Sequence, residues 1–388
     1  MYGQWALDWQ EQINFDRMRE ERLEKAREVM RKRGIEAIVA FLPDNIRYIT
    51  GARGIAVPKI WRYAVLVREE EPILFECGGD MGRVKENAPW LEGRILPAIP
   101  VGFANAEGIK TWSKGIKEIL QRSKVKGGLA LDSVTFRVMK ALEDEGIHFV
   151  DGSSILPEAR AIKTQDELKC LRISVGTAEA AFPIAREMIK PGVRDCDVQA
   201  EMSKALNSIG CETLFGVFAS GEHTHPYWRC FLTDRRIRKG DLVIIDKVHY
   251  YNGYGCDYVR TFLCGDKATP AQKDLYKKCL DYLYEGINQV KPGNTTGDVA
   301  RKWREPEDCS ECTLDFGHGV GLDTHEYPFI SFMSKKEPVE IKPNMVLALE
   351  VYMGDPAMKQ GVRLEENLIV TETGYEIISK YPFEEKLL

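Results

Sequence analysis

The 388-residue sequence has no apolar run near the roughly 18 residues that a membrane-spanning helix needs, so no such span is expected. It has no surplus of positive charge either. Lys and Arg total 54 against 59 Asp and Glu, for a net charge of -5, and without a broad positive field nucleic acid is not an expected partner. Its beginning, Met1 to Trp9, lacks a basic segment followed by an apolar core, so no secretory leader is read and a cytoplasmic location is expected. Ten cysteines are present, but only Cys309 and Cys312 form a C-x-x-C pair. A structural zinc site needs a second pair, so these two read as packing residues or a local redox-sensitive pair. Most of the other cysteines sit in apolar segments, where Cys behaves as a small buried hydrophobe. Histidine is scarce as well: there are six, and four of them fall in two short stretches, His223 with His225 and His318 with His325.

What is present is a globular composition, 44% hydrophobic and 29% charged, over a length that suits two domains. Residues 15–34 carry a helical pattern that Gly34 stops, followed by a buried strand over 36–41 and a turn over 42–51 leading into a short element. Strands are expected at 62–68, 72–76, 94–98, 127–131 and 147–151, and helices at about 105–122 and 133–146. This alternation predicts a small α/β domain over residues 1–157. Leu156 to Lys163 reads as a linker. Thr164-Gln-Asp-Glu167 then forms a capping box that opens a long helix toward Lys190.

The second region, residues 158–388, carries the chemistry. In Gly240 to Phe262, two runs rich in β-branched and aromatic residues flank Asn252-Gly253, the strongest short hairpin signal. With those two residues as the loop, Val248 faces Asp257 and Asp246 faces Val259. Asp246 and Asp257 then share one face as diagonal neighbours, about 7–8 Å apart at the backbone. Nothing on that face neutralises them locally. Two acids in an apolar strand pair are costly unless a cation lies between them, which points to a metal site; the alternative is a solvated hairpin face.

The chain also repeats itself. Lys190-Pro-Gly is followed seven residues after the Lys by Asp197-Val198, and Lys291-Pro-Gly by Asp298-Val299 at the same spacing. Each half then offers a His, His225 or His325, and an acidic hairpin. The second acidic pair is Glu350 and Glu365. Between the hairpins lies Phe316-Gly-His318-Gly-Val-Gly-Leu-Asp-Thr-His325-Glu-Tyr-Pro328, whose glycines let backbone approach a site closely.

Four motifs, Gly-Asp-Leu-Val…Asp246, Gly-Tyr-x-x-Asp257-x-x-Arg-Thr-Phe, Gly-His318-Gly-Val-Gly-Leu-x-x-His325-Glu-x-Pro and Gly-Val-Arg-x-Glu365, resemble those of the pita-bread metallopeptidases. That family includes methionine aminopeptidase, Xaa-Pro aminopeptidase, prolidase and creatinase. The resemblance spans residues 164–388, and Asp44 to Gly51 is similar to the N-terminal domain of creatinase and prolidase. It implies an α/β N-terminal domain plus an α+β pita-bread catalytic domain with pseudo-twofold symmetry. It also implies five metal ligands, Asp246, Asp257, His318, Glu350 and Glu365, holding two divalent cations. Oxygen-rich ligation with one imidazole suits Mn, Fe, Co or Zn.

The implied activity is hydrolysis of small Xaa-Pro peptides by an activated water attacking the amide. Glu350 would relay the proton, and His325 and His225 would orient and stabilise the oxyanion. His223 competes with His225 for that place. Arg363 is a candidate substrate-binding residue that would hold a ligand carboxylate, with Tyr227 and Trp228 as an apolar wall for substrate. Trp61 lies where relatives reach into a partner's site, so a homodimer is implied.

Arg17-Met-Arg, Ala219-Ser-Gly and Ser379-Lys-Tyr-Pro-Phe are similar to the dimethylsulfoniopropionate lyase branch. That branch carries an extra acid where this chain has Val248, and an Asp in place of the peptidase His, whereas His325 is present here. Departures from the peptidases are Lys247-Val248 after the first ligand and Val351-Tyr352 after Glu350. The competing readings are a metal-dependent lyase acting on a small zwitterionic acid and a binding module on the same fold.

Overall fold

The computed structural model describes residues 12–54, 62–225, 232–303 and 313–388, with backbone alone at 213–215 and 313–315. Trp61, Tyr227, Trp228, Cys309 and Cys312 lie outside the described residues. Among the described residues two compact units result: Asn14–Arg160, and the residues from Ala161 to Leu388.

The first unit runs α1 (Phe15–Lys32), β1 (Ala37–Ala40), α2 (Pro43–Thr50), β2 (Tyr63–Val67), β3 (Ile73–Glu76), α3 (Met81–Asn87), β4 (Ile95–Pro97), α4 (Ala106–Arg122), β5 (Leu129–Leu131), α5 (Phe136–Asp144), β6 (Phe149–Asp151) and α6 (Ile155–Ala161). The strands form one mixed sheet in the order β4-β3-β2-β1-β5-β6. Four consecutive apolar residues make β1 buried on both faces, as a central strand requires. Phe41, Tyr63 and Trp112 pack with the sheet's aliphatic residues into one core. Three segments carry more helix than the sequence pattern suggested, among them α3 between two strands. The turn at 42–51 is α2, which starts with Pro43 in its first turn and ends where Gly51 takes φ +72°. The expected linker is α6: Ile155, Leu156 and Ala159 are buried, and Pro157 falls in the first turn, where its missing N–H costs no helical bond.

The second unit is built twice over. Its first half runs α7 (Gln165–Met188), α8 (Asp195–Ile209), β7 (Glu212–Ser220), β8 (Leu242–Tyr251) and β9 (Tyr254–Leu263). Its second half runs α9 (Pro270–Ile287), α10 (Thr296–Ala300), β10 (Thr313–Gly319), β11 (Glu326–Ile330), β12 (Val346–Asp355), β13 (Gln360–Val370) and β14 (Tyr375–Ile377). Capping boxes open both long helices, Thr164 with Glu167 and Thr269 with Gln272. The two Lys-Pro-Gly turns place Gly192 at φ +91° and Gly293 at φ +87°. Each is followed by an isolated bridge, Arg194 with Arg236 and Thr295 with Glu340. The strands pair as β7-β8-β9 in one half and β11-β10-β12-β13-β14 in the other.

The two sheets meet along β9 and β13 without a main-chain ladder between them. Thr261 Oγ1 donates to the Arg363 carbonyl at 2.7 Å and accepts from the Arg363 N–H at 3.0 Å. Asn367 Nδ2 donates to the Asp257 carbonyl at 2.7 Å. A hydroxyl and an amide thus do at this seam what peptide groups do inside each sheet.

Candidate metal centre

The hairpin register follows from Asn252 and Gly253, both at positive φ (50° and 70°), as a tight two-residue turn demands. Val248 pairs with Asp257 and Asp246 with Val259, the pairing the sequence predicts. In the second hairpin Glu350 and Glu365 stand directly opposite each other. Phe316 is the partner of Glu350 on β10, and His318 follows two residues later on the same face. The β9–β13 seam then brings the two acidic pairs together. All five expected ligands are buried, His318 and Glu365 completely.

Asp257 is the hub. Its Oδ2 lies 3.7 Å from His318 Nε2 and 3.3 Å from His325 Nε2. The two imidazoles stack with centroids 4.1 Å apart. Ligand atoms of Asp257, His318 and His325 all lie within 4.8 Å of one another, so His325 stands as close to a ligating position as His318 does. His318 Nδ1 lies 3.0 Å from the Gly319 carbonyl. If that contact is a donated N–H bond, the Nε2 lone pair faces Asp257, the orientation a metal-ligating imidazole needs.

The local cation that the first hairpin lacks comes from β13. Arg363 Nε donates to Glu350 Oε2 at 3.0 Å, Nη2 donates to the same oxygen, and Nη1 lies 3.5 Å from Asp246 Oδ2. This contact sorts the four acids. Burial alone raises a carboxyl pKa, but for Glu350 Arg363 and the nearby imidazoles outweigh it and hold the group below its usual range. Asp246 is pushed by burial up to about 6 in spite of Arg363. Asp257 and Glu365 are pushed well up by burial and by the charges of their neighbours. Burial lowers His318 to about 4 and also lowers His325.

These residues fit divalent cations. Both Glu365 oxygens, Asp257 Oδ1 and His318 Nε2 are buried without a hydrogen-bond partner. Buried polar atoms are otherwise almost always paired, and four orphans converging on one face need a positive charge among them.

The other expected site residues are placed as follows. His225 lies 3.5 Å through Nδ1 from the Tyr352 hydroxyl, beside the strand that carries Glu350. Arg363 is directed at Glu350 and Asp246. The sequence reading gave no role to Phe316, whose ring lies 5.5 Å from His318, or to Lys163, which makes a buried ion pair with Glu326 at 2.6 Å. That pair anchors the residue after His325, and Glu326 packs so closely on Gly321 that a Cβ there would come within 2.1 Å of its Oε1. The i−2 spacing to His318 is the signal that could have flagged Phe316. Nothing local links Lys163 to Glu326.

The chain is similar to known proteins over most of its length. The creatinase/prolidase N-terminal domain model matches residues 22–162. An uncharacterized peptidase of Staphylococcus epidermidis is 28% identical over 373 residues, covering 93% of this chain and 99% of its own. The Xaa-Pro dipeptidase of Pyrococcus furiosus is 26% identical over 367 residues, covering 93% and 98%. The dimethylsulfoniopropionate lyase of Roseovarius nubinhibens is 25% identical, covering 100% and 91%. The Xaa-Pro dipeptidase structure from Bacillus anthracis superposes with a TM-score of 0.78 at 24% identity, covering 94% of this chain and 98% of that one, and so shares the pita-bread fold. The model of metallopeptidase family M24, a family that uses divalent metal ions, matches residues 169–372, more than half of the chain, and the chain belongs to that family.

Proposed function

We propose that this metallopeptidase hydrolyses the amide bond before proline in short peptides, as an Xaa-Pro dipeptidase or aminopeptidase. Asp246, Asp257, His318, Glu350 and Glu365 would hold two divalent cations, with Mn, Fe, Co and Zn all suited to the donor set. The observation that carries the reading is the group of partnerless buried acceptor atoms on Glu365, Asp257 and His318. The Xaa-Pro dipeptidases among the relatives support the substrate class.

Bound divalent ions supply an acidified water and polarise a carbonyl. Glu350, kept ionised by Arg363, accepts the proton of the attacking water on its carboxylate and passes it to the leaving amine. His325, half-buried with Nε2 near Asp257, reaches far enough out of the site to donate to the developing oxyanion, with His225 as a second donor. Arg363 acts on Glu350 and Asp246 as a positioning group rather than on substrate.

The lyase reading has a relative of its own, but Val248 stands where that branch carries an extra acid, and His325 follows the peptidase pattern. A homodimer completed by Trp61, an apolar wall from Tyr227 and Trp228, and a cytoplasmic location belong to the same proposal. Among the described residues no helix is long and apolar enough to cross a membrane.

The test reconstitutes purified protein with each of the four metals and measures proline release from Xaa-Pro dipeptides, with dimethyl sulfide release from dimethylsulfoniopropionate run in parallel. Proline release with two metal ions per chain is expected. Dimethyl sulfide without proline overturns the proposal.

A further inference from the structure

The face of β10, β12 and β13 that bears Glu350, Glu365 and His318 does not end at the acids. Phe316 lies directly across from Glu350, and Phe329, on edge strand β11, is the partner of His318. The Phe316 ring lies 6.5 Å from His325 and 6.2 Å from Phe329, at interplanar angles of 30° and 32°. The angle to His318 is 37°, and between the two imidazoles it is 27°. Four rings of similar tilt therefore form a shelf. It runs from the buried hub at Asp257 to Phe329, which is 48% exposed. Phe332 and Met333, just after β11, are also exposed, at 48% and 46%. An exposed apolar strip leading straight out of a polar centre is the mark of a surface that a ligand covers.

We infer that Phe316 and Phe329 form the specificity surface for the residue on the N-terminal side of the scissile bond, selecting large apolar or aromatic side chains. The inference rests on the Xaa-Pro reading, in which the proline side is constant and Xaa alone varies. A large apolar Xaa laid on the shelf removes its own surface and that of Phe329 from water, and gains ring contacts. An acidic Xaa would lose hydration there against aromatic faces. The nearby guanidinium of Arg363 is already engaged by Glu350 and Asp246.

The test uses the metal-loaded full chain and measures kcat/KM for Gly-Pro, Leu-Pro, Phe-Pro and Asp-Pro with wild type, Phe329→Ala and Phe316→Leu. Phe329 is half exposed, so its replacement does not threaten folding, and Phe316→Leu keeps most of the volume. Wild type is expected to prefer Phe-Pro and Leu-Pro over Gly-Pro and Asp-Pro. In Phe329→Ala the ratio of Phe-Pro to Gly-Pro should fall about tenfold, mainly through KM, within the range that hydrophobic pockets supply. Phe316→Leu should lower the Phe-Pro preference more than the Leu-Pro preference. An active enzyme whose ratios do not change, or whose activity falls equally on all four dipeptides, overturns the shelf alone. A wild type that cleaves none of them overturns the Xaa-Pro reading and the shelf with it.

Discussion

The two acidic hairpins perform one task with different geometry. In β8–β9 a two-residue turn sets two short aspartates on a diagonal. In β12–β13 residues 356–359 make a longer connection, begun by Asp355 Oδ1 accepting from the Ala357 and Met358 N–H groups, and two longer glutamates face each other squarely. The electrostatics divide along another line. Arg363 serves one acid from each hairpin, Glu350 and Asp246, and the other two, Asp257 and Glu365, keep partnerless oxygens. Each hairpin therefore gives one carboxylate to the protein's own cation and leaves one with a partnerless oxygen. The fold repeat supplies the acids in pairs, and a single arginine breaks that symmetry.

The sharpest break removes the acid that Arg363 keeps ionised. Glu350→Gln should lower kcat on an Xaa-Pro dipeptide by about 10²–10⁴-fold, the usual weight of a general base. Steady-state kinetics on the metal-loaded variant checks it, with far-UV circular dichroism to confirm the fold. Next, Arg363→Met leaves Glu350 and Asp246 buried without their counter-ion. Urea unfolding of the metal-free protein should show a loss of about 3–5 kcal/mol, and saturating divalent cation should restore part of it.

A third measurement uses pH. In the metal-free protein Asp246 is raised to about 6, and Asp257 and Glu365 are raised too, so the folded chain keeps protons that the unfolded chain has released. Their contribution to stability is full below about pH 4, the unfolded value, and is lost as pH climbs through the folded values. The metal-free protein should therefore melt at a lower temperature at pH 7 than at pH 5. A divalent cation should cancel that slope in differential scanning calorimetry.

The smallest effects lie in the two turns. Gly253 stands at φ +70°, so Gly253→Ala should cost about 1–2 kcal/mol. In the longer connection Lys359 occupies φ +52°, and Lys359→Gly should be neutral or stabilise by up to about 1 kcal/mol in the same unfolding assay.

The contrast between the turns also marks where the sequence is legible. Asn252-Gly253 dictates its turn, and the register of Asp246 and Asp257 follows by counting. The connection after Asp355 carries no such unique signature, so Glu350 and Glu365 can be picked out as a pair but not set opposite one another. The Thr164 capping box and the Lys-Pro-Gly repeat are local patterns and can be read directly, whereas the five ligand candidates as a set rest on the resemblance to the metallopeptidases. The contacts of Arg363 with Asp246, of Lys163 with Glu326 and of Phe316 with Phe329 join residues that no local period connects. The helix at Ile155–Ala161 was hidden for a different reason: Pro157 suggests a break, yet it is harmless in a first turn.

The seam between the halves has a mechanical consequence. Within each sheet, alignment is enforced by many peptide groups acting in concert. Along β9 and β13 it is delegated to side chains: the Thr261 hydroxyl, the Asn367 amide and the Arg260 guanidinium, which donates to the Glu365 carbonyl and pairs with Glu366. Thr261→Val removes two of the hydrogen bonds that hold the strands bearing Asp257 and Glu365 side by side. The spacing of the two acids that keep partnerless oxygens thus depends on a side chain outside the acidic cluster.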